Sequence, residues 1–195
     1  MANNSDGLYG FRRELIARLA ARGEVYASTP DDGCYDELRA LGCTVIETPI
    51  DRRGINPVTD CKLLLRYVKL LRQVKPDLVI TYTIKPNVYG GIACRLVGVP
   101  YAANITGLGT AFQKKGALRT LVTVLYKMAL KRAKVVFFEN AGNRDTLIGE
   151  GIVRAAQCRL LMGAGVNLAH YVPAEYPAEE PVPPVSLLCH RIFRL

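Results

Sequence analysis

The sequence predicts an α/β fold, a parallel sheet wound on both faces by helices, and three observations carry the prediction. Short β-rich apolar runs alternate with helical patterns along most of the chain. Glycine or proline punctuates the changes, as at Gly23, Gly42 and Pro76. The stretch Asp77–Phe112 runs strand, polar loop, glycine-bearing helix, strand and glycine-rich loop, and both loops leave the carboxyl ends of strands. Open parallel sheets bind ligands beyond those ends, so function is expected there.

Taken in order, Asn3–Gly10 reads as a strand-to-helix loop with no strand before it. The first strand of a doubly wound sheet is usually central. Its absence would leave interior backbone groups unpaired, at about 1–3 kcal/mol each. Helical patterns ending at Gly23 and Gly42 precede strands at Glu24–Ser28 and Thr44–Glu47. Asn56 followed by Pro57 is a helix start, and Leu63, Leu64, Tyr67, Val68 and Leu71 share one face before Pro76 stops it. A buried strand follows at Leu78–Ile80, extending into Thr81 and Tyr82. Asn87 then caps a helix bearing Val88, Ile92, Leu96 and Val97, and Val99–Ala103 is the next strand. Gly90 and Gly91 weaken that helix by about 1 kcal/mol each, which suits a close approach to the sheet or to a ligand. A helix near Lys115–Arg132, a strand at Val135–Phe138, a short helix after Asn143 and a strand at Arg159–Met162 complete the alternation. Pro173–Pro184 is proline-rich and acidic, a linker, after which Val185–Cys189 can begin another strand. The expected domains are therefore 1–167, a linker over 168–184 and the remnant of a second domain over 185–195.

A chain of 195 residues that is 50% hydrophobic can bury one substantial core. Its six cysteines form no CxxC pair and have no histidine at ligand spacing, so they read as reduced thiols in a cytoplasmic protein rather than a zinc site. No apolar run approaches the ~20 residues that span a bilayer, and no signal peptide opens the chain. The net charge of +9 calls for anionic partners, with nucleic acid, anionic lipid or phosphorylated substrates all satisfying it. No nucleic-acid recognition motif is present, which ranks that partner below the other two.

Several residues at the expected crevice carry chemistry. The small-residue loop with Asn3, Asn4, Gly7 and Gly10 can bring amides to a phosphate at a helix N-terminus, or its Asp6 can serve only as a cap. Arg52 and Arg53 can grip a phosphate in fork geometry, or remain a solvated pair. Lys85 and Asn87 leave one strand, and Asn104, Thr106, Gly107 and Gly109 leave the next. Between Lys114 and Lys134 an amphipathic helix sets Leu118, Leu121, Val122, Leu125, Met128 and Ala129 opposite Lys127, Lys131 and Lys134. That pattern suits docking on an anionic membrane, and equally a crossover helix packed on the sheet with its lysines solvated.

The segments GLYGFRREL from Gly7, TPIDRRGINP from Thr48, TYTIKPNVYGGIACRL from Thr81, NITGLGTAF from Asn104 and GAGVN from Gly163 resemble, in this order, the amino-terminal half of family 4 glycosyltransferases. The likeness is greatest to bacterial enzymes of capsule, O-antigen and related polysaccharide synthesis, and runs from Asn3 to about Pro177. It implies a GT-B fold, two Rossmann-like domains across a cleft, of which this chain is expected to hold the acceptor-binding one without its first strand. It also implies a retaining, metal-independent transfer without a cofactor, from a nucleotide sugar, UDP-linked, to a lipid-diphosphate-linked or saccharide acceptor at the inner face of the membrane. Asn3, Asn4, Gly7 and Gly10 then face the donor, Arg52, Arg53, Lys85, Asn87, Asn104, Thr106, Gly107 and Gly109 line the acceptor cleft, and Arg191 meets the donor phosphate. Some relatives carry a histidine near the reacting sugar, but the loop NITGLGT has none and no general base is assigned. His170 and His190 lie in or beyond the linker and read as incidental. Such chemistry depends on positioning and electrostatics more than on a protein nucleophile. Two other readings stand beside it, a non-catalytic acceptor- or membrane-binding module and a nucleotide-sugar epimerase of related fold.

Overall fold

A computed structural model describes residues 1–52, 54, 56–109, 112, 116–165, 167, 168 and 172. Met1–Gly165 forms one compact unit, and nearly all of the second, Val166–Leu195, lies outside the described residues. The expected linker, apart from residues 168 and 172, and the strand at Val185–Cys189 therefore fall outside them, as do Arg53, His170, His190 and Arg191.

Every strand among the described residues pairs in parallel, in two sheets. β1 (Val25–Thr29) lies beside β2 (Cys43–Glu47), and β3 (Val79–Tyr82), β4 (Tyr101–Ile105), β5 (Val135–Phe138) and β6 (Cys158–Leu160) follow in that order. The helices between them are α1 (Ser5–Ala20), α2 (Tyr35–Ala40), α3 (Pro57–Val74), α4 (Gly91–Val97), α5 (Ala117–Leu130) and α6 (Ala141–Gly149).

The two sheets meet at a seam between β1 and β3, and among the described residues the backbone of residues 1 and 2 bonds to both sides of it. The Met1 amino group donates to Ile80 O at 2.9 Å, the Tyr82 amide to Met1 O at 2.9 Å, and the Ala2 amide to Ser28 O at 3.0 Å. Met1–Ala2 thus lies between the carboxyl-terminal ends of β1 and β3. Backbone groups alternate sides along a strand, so Tyr26 and Ser28 on β1, with Leu78 and Ile80 flanking or in β3, turn theirs to this seam. The buried residues divide along the same line. Ala2, Leu8, Ile16, Ala27 and Leu38 form one cluster, while Tyr67, Tyr101, Tyr126, Phe138 and Leu147 anchor the larger one. Each large apolar side chain of this kind contributes about 1.5–3 kcal/mol by leaving water.

Local chemistry explains the elements and several departures from expectation. Asn56 caps α3 as expected, its Oδ1 accepting from the Val58 amide at 2.9 Å and the Thr59 amide at 3.4 Å. The loop expected over Asn3–Gly10 is shorter, because α1 begins at Ser5 and carries Gly7 and Gly10 on its first turns. Asn87 does not cap a helix. It lies inside a π-helical turn, Pro86–Gly90, that leads into α4, and its side chain is buried. β4 begins two residues later than expected because Gly98, at φ +84°, and Val99 both donate their amides to Cys94 O to close α4. The helix expected to run to Arg132 ends at Leu130, with Lys131 as its cap and Lys134 just before β5. α6 starts at Ala141, ahead of the expected site, since the Asn140 side chain accepts the Asn143 amide at 2.8 Å. Gly90 and Gly91 do serve close approach. A Cβ on Gly91 would stand 3.0 Å from Ala129 O of α5, and one on Gly90 3.2 Å from Thr81 Cγ2 of β3.

Candidate functional site

The carboxyl ends of β3, β4 and β5 and the start of α1 enclose a cavity of about 300 Å³. Asn4, Gly7, Arg12, Tyr82, Thr106 and Glu139 are among its walls, with Phe11 and Thr83. Glu139 leaves the end of β5, and its Oε1 accepts from Arg12 Nη2 at 2.6 Å and from Asn104 Nδ2 at 3.2 Å. The Arg12 guanidinium also lies over the Tyr82 ring, 5.1 Å from its centroid. Burial pushes the Tyr82 phenol above its ordinary range, the nearby Arg12 charge opposing the shift and Glu139 reinforcing it. Asn104 is buried, and its Oδ1 finds no partner among the described residues. Thr83 holds φ at +70°, left-handed backbone that a β-branched residue enters at a cost of about 1–2 kcal/mol.

Beneath this cavity a buried polar girder ties the two loops of the Asp77–Phe112 stretch together. Asn87 Oδ1 accepts from Thr81 Oγ1 at 2.7 Å, and its Nδ2 donates to Asn104 O at 2.9 Å. Lys85 turns away into an ion pair with Asp60 of α3, Nζ to Oδ1 at 2.7 Å, and Tyr89 donates to the other carboxylate oxygen at 2.9 Å. Both partners of the pair are largely buried, so Asp60 compensates the Lys85 charge within the protein.

The N-terminus of α1 already holds an anion. Asp32, from the loop after β1, accepts from the Ser5 amide at 2.5 Å and from the Ser5 hydroxyl. A carboxylate there uses the amides and dipole that would otherwise attract a phosphate. Arg52 stands at the same place, Nη1 4.0 Å from Asp32 Oδ2, and is exposed.

Of the residues picked out in the sequence, Asn4, Gly7 and Thr106 therefore line one cavity, with Asn104 against its Glu139 wall. Asn3 lies in the preceding loop, Gly10 is exposed on α1, and Gly107 is half-buried. Gly109 holds φ at +69°, with Ile84 so close that a Cβ would meet its Cδ1 at 2.7 Å. Lys127, Lys131 and Lys134 are exposed and belong to another part of the molecule. Arg12, Tyr82, Thr83 and Glu139 were not picked out. Glu139 carried the one usable signal, a charged residue at the end of an apolar strand.

The cavity combines the Glu139 carboxylate, the Arg12 guanidinium, the Asn4 side-chain amide, hydroxyls and aromatic faces. Such a lining matches a polyhydroxylated ligand, whose hydroxyls need donors and acceptors and whose C–H faces need apolar surface. Together with the parallel sheet, it defines a Rossmann-like ligand-binding domain with its site at the strand C-termini. Residues 3–140 match the model of the glycosyl transferase 4-like family, and the chain belongs to that family.

Curated relatives and solved structures agree with this placement. The chain is 28% identical over 179 residues to the N,N'-diacetylbacillosaminyl-diphospho-undecaprenol alpha-1,3-N-acetylgalactosaminyltransferase of Campylobacter jejuni, covering 89% of this chain and 47% of that protein. It is 39% identical over 124 residues to the UDP-Gal:alpha-D-GlcNAc-diphosphoundecaprenol alpha-1,3-galactosyltransferase of Escherichia coli, covering 63% of this chain and 32% of that protein. The chain thus spans about half, or less, of the length of these relatives. Anabaena HepE in complex with UDP-glucose superposes with a TM-score of 0.63 at 16% identity, over 87% of this chain and 44% of that one. A glycosyltransferase from Rickettsia africae gives 0.63 at 14% identity, over 90% and 44%. These structural likenesses establish the shared fold, the amino-terminal half of a GT-B arrangement.

Proposed function

We propose that the protein supplies the acceptor-binding side of a retaining, metal-independent transfer from a UDP-sugar to a lipid-diphosphate-linked saccharide, in bacterial surface polysaccharide synthesis. The observation that carries this reading is the Arg12–Glu139–Asn104 network. Its Arg12 and Glu139 line a hydroxyl-matching cavity at the strand C-termini, and all three residues lie inside the stretch that matches the family. The names of the two curated relatives, each acting on a diphospho-undecaprenol-linked saccharide, support the acceptor class. Donor-facing Asn4 and Gly7 sit on the same cavity as Thr106 of the acceptor loop, which is the juxtaposition a transfer requires.

Work at the cytoplasmic face of a membrane is part of the proposal, and α5 supports it. Leu121, Val124 and Met128 recur on one helical face, are 48%, 48% and 47% exposed, and have the exposed Lys127 alongside. A helix packed only as a crossover would bury that stripe. No helix among the described residues is long and apolar enough to cross a membrane.

A second reading is a module that holds the acceptor without transferring to it. Incubating the purified chain with UDP-galactose or UDP-N-acetylgalactosamine and an undecaprenyl-diphosphate-linked monosaccharide, with and without a donor-binding domain, separates the two. Lipid-linked disaccharide in either mixture supports transfer. Acceptor binding with no product in either supports the module.

A further inference from the structure

At the opposite end of the strands from the crevice lies a second cavity, of about 670 Å³. It is framed by the turn before β4 and the turn between α5 and β5. Arg95, Lys131, Arg132, Lys134 and Arg154 line it, and no carboxylate among the described residues does. Each element contributes for its own reason. Arg95 comes from the last turn of α4, Lys131 and Arg132 follow α5, Lys134 precedes β5, and Arg154 leads into the short helix before β6.

One structural use of these charges is evident and accounts for only a part of them. α5 ends without a glycine cap, and its last three carbonyls are taken by side chains. Arg95 Nη1 donates to Met128 O, the Tyr101 hydroxyl to Ala129 O, and Gln157 Nε2 to Leu130 O at 3.0 Å. A helix end presents roughly half a negative charge. Arg95 alone exceeds that, and four further cations share the cavity. Lys131, Arg132 and Lys134 enter no ion pair among the described residues. Among the described residues the Arg154 side chain is engaged only with the neutral Gln157 side chain, at 3.2 Å. Arg95 Nε is buried and has no hydrogen-bond partner among the described residues. Like charges gathered in a concavity repel one another, and an anion bound among them relieves that repulsion.

We infer that this cavity is a binding site for a phosphate group, separate from the ligand crevice. Arg95 and Arg154 supply planar guanidinium donors suited to phosphate oxygens, and Lys131, Arg132 and Lys134 supply the field. The site adjoins the C-terminal end of α5, whose exposed apolar stripe runs up to Met128. The phosphate can therefore come from an anionic lipid headgroup or from a free ion.

The test titrates inorganic pyrophosphate into the full chain by calorimetry. The wild-type protein is compared with Arg132→Gln/Lys134→Gln and with Lys62→Gln/Lys69→Gln, which removes the same charge from exposed positions of α3. The inference expects saturable binding to the wild type, weakened about tenfold or more by the cavity variant and by less than about twofold by the control. No saturable binding to wild type, or equal weakening by both variants, overturns it. Sedimentation with phosphatidylglycerol vesicles identifies the source. Binding that pyrophosphate displaces, and that the cavity variant loses, assigns a lipid headgroup, whereas pyrophosphate binding without displacement of vesicles assigns a free phosphate. Arg132 and Lys134 take no part in the sugar-binding reading, so failure here leaves that reading untouched.

Discussion

Arg12 and Glu139 meet at 2.6 Å across 127 positions of sequence and close the wall of the crevice. Arg12 projects from α1 and Glu139 from the end of β5, so the contact fixes the first helix against the four-stranded sheet. Both side chains are mostly buried, at 12% and 22% exposure. Arg12→Met leaves a part-buried carboxylate with only the Asn104 amide, and should lower stability by about 1–3 kcal/mol. Glu139→Gln keeps an acceptor for both donors and should cost less. Urea denaturation of the two variants gives the comparison.

Asp60 and Lys85 form the other interior ion pair of this region. Asp60→Ala strands the Lys85 ammonium and the Tyr89 hydroxyl together, and should destabilise by about 3–5 kcal/mol. The double variant Asp60→Ala/Lys85→Met should recover a large part of that loss, because no charge is then left unpaired. A thermal or urea double-mutant cycle measures it.

Backbone direction along the seam makes a residue-level forecast for hydrogen exchange. The Tyr26 and Ile80 amides turn toward the seam, whereas Ala27 faces β2 and Val79 donates to Pro100 O at 3.0 Å. Tyr26 and Ile80 should exchange at least about tenfold faster than Ala27 and Val79. Equal protection would mean that the seam amides are paired.

The Met1 amino group supplies a pH dependence. Burial lowers its pKa from 8.0 to about 6. Between those values the unfolded chain holds a proton that the folded chain releases, so stability rises with pH. It should be fully present above about pH 8, fall by ~1.4 kcal/mol per unit below that, and level off below about pH 6. N-terminal acetylation should remove this slope while leaving one N–H for Ile80 O. Urea midpoints of the free and acetylated chains across that range provide the check.

Most of the architecture was legible because each signal was local. β-rich runs bounded by glycine marked β1 and β2, and Asn56 with Pro57 marked the start of α3. Misplacements arose where one residue served a distant partner. Asn87 has the side chain of a helix cap, but Thr81 and Asn104 O use it across the sheet. Val99 looks like strand, yet its amide closes α4. The basic helix was read as one face, but α5 stops at Leu130, which leaves Lys127 beside an exposed apolar stripe and puts Lys131 and Lys134 on a turn. The crevice wall was the least legible part. Nothing in the order of residues links Arg12 to Glu139, and only the folded sheet brings α1 to the end of β5.

The central claim is that the crevice at the strand C-termini holds a diphosphate-linked saccharide acceptor. Binding of a short-chain, water-soluble polyprenyl-diphosphate N-acetylglucosamine to the full chain tests it most directly, with wild type compared with Glu139→Ala and with Arg132→Gln/Lys134→Gln. The account predicts saturable binding that Glu139→Ala weakens about tenfold or more in a still-folded protein, with a smaller effect from the basic-cavity variant. Absence of binding to the wild type, or binding indifferent to Glu139, would contradict it.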